Sequence, residues 1–176
     1  MTWQDRRNAV LEGTARAAEM HEELSFRTRL GDGKGPIDVF RVIMETDVGL
    51  LFRPLDKLLG AFLPSPVRGI LVTTQRDLYV QRYTAAHELG HFLMGHEASL
   101  DDERLISLAT REQPHGDLQE IAADAFASEF LMPRWLVAAQ VRRQRWTADA
   151  LRTPGIVYQL WDGSLPLSRN GQFDNV

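Results

Sequence analysis

His87-Glu88-Leu89-Gly90-His91 lies inside a stretch, Leu78 to Gly95, whose apolar residues recur with a helical period and which contains no proline. This placement constrains the chain more than any other feature. On a helix, residues four apart share a face with Cβ atoms about 6 Å apart, so two imidazoles can converge on one zinc ion at about 2.0 Å. Glu88, turned by about 100°, can address a water at the metal without ligating the metal itself. With Leu89 at zero, Ala85, Ala86, Phe92 and Leu93 project within about 60° of it, forming an apolar stripe, while His87 and His91 project opposite that stripe, near 160° and 200°. The histidines are therefore expected away from the core stripe and available to a metal.

The chain has no cysteine, which excludes a disulfide framework, a thiol nucleophile and a Cys-ligated zinc site. Any metal must be held by histidines and carboxylates. A 44% apolar and 25% charged composition over 176 residues predicts one globular domain. The start, Met1 to Arg7, has charges with no apolar run behind them, and no stretch approaches the roughly 20 apolar residues of a membrane span. A cytoplasmic location without membrane contact is expected. The net charge of -4, from 24 acidic and 20 basic residues, weighs against direct nucleic-acid binding.

Residues 3 to 24 read as an amphipathic helix on Trp3, Val10, Ala17, Met20 and Leu24, with 1–30 forming an N-terminal helix and linker. Gly31 to Gly35 lacks the residues and spacing of a phosphate loop and reads as a turn; Pro36 and Asp38 open a short helix to about Asp47. Short apolar runs, Val48 to Phe52, Ala61 to Leu63 and Gly69 to Thr74, are separated by Pro54, Gly60, Pro64 and Pro66 and predict a small sheet. The polar stretch 97–117 breaks the helical pattern, which resumes from Leu118 to Met132 and again over 134–150. The expected architecture is α+β: a small β-sheet packed beside a helical zinc-peptidase core carrying the HExxH helix. The domain is expected to span 1–161, with 162–176 a polar tail dispensable for folding.

A catalytic zinc needs a third protein ligand and leaves a fourth position to water. An extended HExxHxxGxxH pattern requires glycine at 94 and histidine at 97; the chain has Met94 and Glu97, so His96 is out of register. Glu120 and Asp124, four apart on an otherwise apolar helix, are better placed. A carboxylate in such surroundings must be paired, hydrogen-bonded or on a metal, the competing reading being a solvated i,i+4 pair. Glu120 would then be the ligand, and Asp124 would accept the second N–H of a zinc-bound histidine.

The runs Arg82-Tyr83-Thr84-Ala85-Ala86-His87-Glu88-Leu89-Gly90-His91 and Glu120 to Met132-Pro133 resemble the ImmA/IrrE family of metallopeptidases, in which an AHELGH helix is followed by a helix ending in FAxxLLMP. The resemblance spans about 37–160 in element order, with its specific motifs in 82–133. It implies zinc ligands His87, His91 and Glu120, Glu88 as general base, a bacterial or phage setting, and a helix-turn-helix transcriptional repressor as the substrate, cut to regulate gene expression. Ala122 stands where many members carry a second acidic residue, and Phe130 replaces a leucine. Neither touches the proposed ligands. After Leu160 the chain departs from the family's helix into Trp161-Asp162-Gly163-Ser164, which bears on partner recognition more than on chemistry.

His115 and Tyr83 are candidates for an oxyanion or substrate contact, Tyr83 also fitting a packing role. Gly69 to Thr74 fits either an edge strand that pairs an extended substrate or an interior strand. Arg142 to Arg145 reads as a solvated face; as a DNA-binding face it would make affinity steeply salt-dependent. A non-catalytic regulator that keeps the zinc helices and binds a repressor or antitoxin-like partner uncut is the alternative to the enzyme. A pure scaffold has no need of Glu88.

Overall fold

The computed structural model describes residues 1–29, 36–63, 66–96, 100–102 and 118–143. The Gly31 to Gly35 turn, His115, the end of the helix expected over 134–150 and the tail 162–176 lie outside the described residues.

Helix α1, Trp3–Glu23, starts at a reciprocal cap: Thr2 Oγ1 accepts from the Asp5 amide at 3.1 Å, and Asp5 accepts from the Thr2 amide at 2.7 Å. Its buried stripe is Ala9, Gly13, Ala17, Met20 and His21. The expected face was turned by about one residue, since Trp3 and Val10 are exposed. The reason is proximity. A methyl group at Gly13 would collide with the carbonyl oxygen of Ala122 and stand 2.8 Å from the Phe126 amide nitrogen, so only small residues fit the seam. A short helix α2, Phe26–Arg29, buries Phe26, and α3, Val39–Glu45, is capped by Asp38, which accepts from the Arg41 amide at 3.2 Å.

Strands β1, Gly49–Arg53, β2, Leu58–Leu63, β3, Gly69–Thr73, and β4, Leu100–Asp102, form a mixed sheet in the order β1-β3-β2-β4. β1 runs parallel to β3, with Gly49 opposite Gly69 and Arg53 opposite Thr73; β2 is antiparallel to both β3 and β4. β3 is thus paired on both sides. The edge-strand reading of Gly69 to Thr74 is excluded, because its backbone groups are already taken by β1 and β2. β4 falls in the polar stretch read only as a break; its pairing with β2 is a long-range contact that local pattern does not announce.

Helix α4, Leu78–Met94, packs against β2 and β3 on one side and on α5, Leu118–Leu131, on the other. Helix α6, Arg134–Arg143, follows Pro133. Ile70 and Val72 from the sheet, Ala85, Ala86 and Leu89 from α4, and Phe126 and Phe130 from α5 share one core. Phe126 and Phe130 are fully buried and their rings stack at 5.4 Å, each contributing about 1.5–3 kcal/mol of apolar burial. This is the α+β arrangement expected: a small sheet beside a helical core built around the HExxH helix. Among the described residues no helix is long and apolar enough to cross a membrane.

Candidate metal centre

Because α4 is sandwiched, every residue from Thr84 to His91 is buried. The histidines do project away from the Ala85, Ala86 and Leu89 stripe, but α5 and the sheet cover that side too. Their burial, 5% exposed for His87 and 1% for His91, is the correction to the helical projection. A single helix projected alone has one core face; a helix between a sheet and a second helix has two.

The geometry of α5 against α4 is set at Gly90, where a methyl group would come 2.9 Å from the Phe126 ring. That close approach brings Glu120, 30 residues along the chain, to the histidines. Nε2 of His87 and Nε2 of His91 lie 2.9 Å apart, and the Glu120 carboxylate stands 3.2 Å from the first and 3.4 Å from the second. Burial works to raise the Glu120 pKa, but hydrogen bonds and charge from His87 and His91 outweigh it and hold the carboxyl well below the usual carboxylate range.

Behind the His87 ring, Nδ1 lies 3.0 Å from Asp124 Oδ1. A carboxylate accepts, so His87 Nδ1–H donates, and in the neutral ring that a metal ligand must be the Nε2 lone pair then faces His91 and Glu120. The Tyr83 hydroxyl donates to the same Asp124 oxygen at 2.8 Å. His91 is enclosed differently: Phe62 of β2 stacks on its ring at 5.5 Å and 8°, and its Nδ1 lies 3.0 Å from Nδ1 of His96.

Ligand atoms of His87, His91 and Glu120 all lie within 4.8 Å of one another. Without an ion, protons on the imidazoles satisfy the Glu120 carboxylate; with both rings neutral and protonated on Nδ1, two Nε2 lone pairs and a carboxylate face one space, which a cation occupying it would satisfy. Three N and O donors also leave a position open, as catalytic sites of divalent metals do. The donor set therefore fits a divalent metal ion. Glu88, 1% exposed, sits between the two histidines in sequence and turns toward β2, where a methyl group at Gly60 would come 3.0 Å from its Oε1. Only glycine lets the strand pass that close.

The structure thus brings together His87, His91 and Glu120, with Asp124 against His87 and Tyr83 against Asp124. Sequence reasoning did not find Phe62, Gly60 or the contact of His96 with His91. Gly95 was the available signal for His96, since a glycine at the end of a helical pattern marks where the chain folds back.

A family model for the IrrE N-terminal-like domain of peptidase M78 matches residues 44–154, from the end of α3 through α6 and including every residue of the cluster. Helix α1 precedes the matched region. No curated protein matches the chain.

Proposed function

The chain belongs to the M78 peptidase family with the IrrE N-terminal-like domain, and from that premise we propose that it is a zinc-dependent endopeptidase that cuts a helix-turn-helix transcriptional repressor in the cytoplasm. The observation that carries the catalytic reading is a buried Glu88 on the same helix turn as two imidazoles whose Nε2 atoms share the Glu120 carboxylate. His87, His91 and Glu120 would hold the ion.

Zinc, when bound, lowers the pKa of a water towards ~7 and polarises the scissile carbonyl. The remaining work falls to the chain. Glu88 takes the proton of the attacking water and passes it to the leaving amine, so its carboxylate is needed in both forms within one turnover. Asp124 fixes the His87 tautomer through Nδ1, and Glu120, held ionised by its neighbours, keeps the site's negative charge. Support for a repressor as substrate comes from the family resemblance and from an acidic chain poorly suited to bind DNA itself.

The test is Glu88→Gln, nearly isosteric and unable to accept a proton at neutral pH. Zinc content and fold should persist while cleavage of the repressor falls about 10²- to 10⁴-fold. The inactive protein should also retain its substrate in a pull-down, identifying it by mass spectrometry. If Glu88→Gln relieves repression in cells as well as the unmodified protein does, the chain acts by binding without cutting.

A further inference from the structure

His91 is 1% exposed and stacked beneath Phe62, so its outer ring nitrogen, Nδ1, cannot rely on bulk water. Buried polar atoms of this kind find protein partners. The partner is His96, and the way it arrives is part of the helix itself. Gly95 takes the left-handed conformation, φ 68°, and two backbone bonds close the end of α4: His96 N–H donates to the His91 carbonyl at 3.0 Å, and Gly95 N–H donates to the Phe92 carbonyl at 3.3 Å. These are the paired bonds of a Schellman cap, which folds the residue after the glycine back onto the residue five earlier. In most such caps that pair makes an apolar contact. Here it is two imidazoles, Nδ1 to Nδ1 at 3.0 Å with ring centroids 4.9 Å apart.

We infer that His96 is a positioning residue for the metal: the cap of α4 delivers its Nδ1 as the acceptor for His91 Nδ1–H, which fixes the His91 tautomer and points the Nε2 lone pair into the site. The inference rests on His91 being a metal ligand. With Nε2 committed to a cation, the only ring proton of neutral His91 is on Nδ1, and it needs an acceptor. His96 supplies one as the tautomer protonated on Nε2. His87 meets the same requirement with the Asp124 carboxylate. The two ligands are therefore oriented from different sources, one by a charged group on α5 and the other by a neutral group that the chain places five residues downstream. This also accounts for a histidine at 96 that is out of register as a ligand.

Zinc affinity of the full-length protein, measured by competition with a chromophoric chelator, tests this alongside the visible absorption of the cobalt-substituted protein. His96→Leu should lower affinity about 10- to 100-fold, as loss of a group that orients a ligand does, and should shift the cobalt bands. His96→Asn, whose side-chain oxygen occupies the place of Nδ1, should recover most of both. Gly95→Ala, which strains the cap and displaces an intact His96, should fall between, and serves if His96→Leu does not fold. Unchanged affinity and spectrum in both His96→Leu and Gly95→Ala would overturn the inference. So would a loss in His96→Asn as complete as in His91→Ala, because His96 would then be a ligand. If His91→Ala itself retains zinc, the failure lies with the metal-site reading.

Discussion

Asp124 Oδ1 lies 3.0 Å from Nδ1 of His87, so the carboxylate of one helix sets the protonation of the imidazole on the other. Asp124→Ala should therefore weaken metal binding about 10- to 100-fold without abolishing it. Glu120→Ala removes a donor atom and should cost more. Chelator competition on the two variants gives the order; a reversed order would make Asp124 the ligand. Tyr83→Phe deletes one of two hydrogen bonds on the Asp124 oxygen and should cost only about 0.5–1.5 kcal/mol.

Metal should also stabilise the fold, because the three donors sit on two helices that the ion would join. At a free zinc concentration of about 100 times Kd the gain is about 2.7 kcal/mol. A zinc titration followed by thermal melting should raise Tm for the unmodified protein and much less for Glu120→Ala. Equal rises in both would place the metal elsewhere.

Two glycines should resist replacement for different reasons. Gly13→Ala adds a methyl against the backbone of α5, which cannot turn aside, so a cost of about 1–3 kcal/mol from overpacking should exceed the helix-propensity gain of about 1 kcal/mol. Tm should fall. Gly90→Ala meets the Phe126 ring instead, a side chain that can give way by moving α5. Its effect should show in metal affinity, since α5 carries Glu120. A Gly13→Ala protein more stable than its parent would mean that α1 slides freely on α5.

His21 predicts an acid limb of stability away from the metal centre. Its Nε2–H donates to the Phe130 carbonyl at 2.9 Å, and the ring stacks on Phe130 and meets Trp135 edge-on. Burial lowers its pKa, opposed in part by that hydrogen bond. The unfolded chain takes up the proton near pH 6.5, the folded protein only at lower pH, so stability is lost as pH falls below about 6.5. His21→Gln keeps a donor but no titration, and between about pH 7.5 and 5.5 its Tm should fall less than the parent's. Because His87, His91 and His96 remain in both proteins, the difference isolates His21; parallel curves would assign the acid sensitivity elsewhere.

The candidate ligand pair, His87 and His91, with Glu88 between them, was legible in the sequence because their relation is local. Four residues on one helix fix the spacing of His87 and His91 whatever surrounds them, and the proline breaks around Val48 to Thr74 marked three strands for the same reason, although Gly60, expected as a break, lies inside β2 and pairs with Val72. Glu120 was legible at one remove, as a carboxylate on an apolar helix that needed a partner. What the tertiary structure alone decided depends on distance between elements. The pairing of β3 on both sides, the addition of β4, and the burial of both faces of α4 are long-range contacts with no local period. The face of α1 was misread because the seam with α5 selects small residues, Ala9, Gly13 and Ala17, over the larger Trp3 and Val10, and that choice is made by how close two backbones come. His96 stands between the two cases. Its contact with His91 spans only five residues, yet it exists because Gly95 enters a left-handed conformation in which the helix folds back on itself.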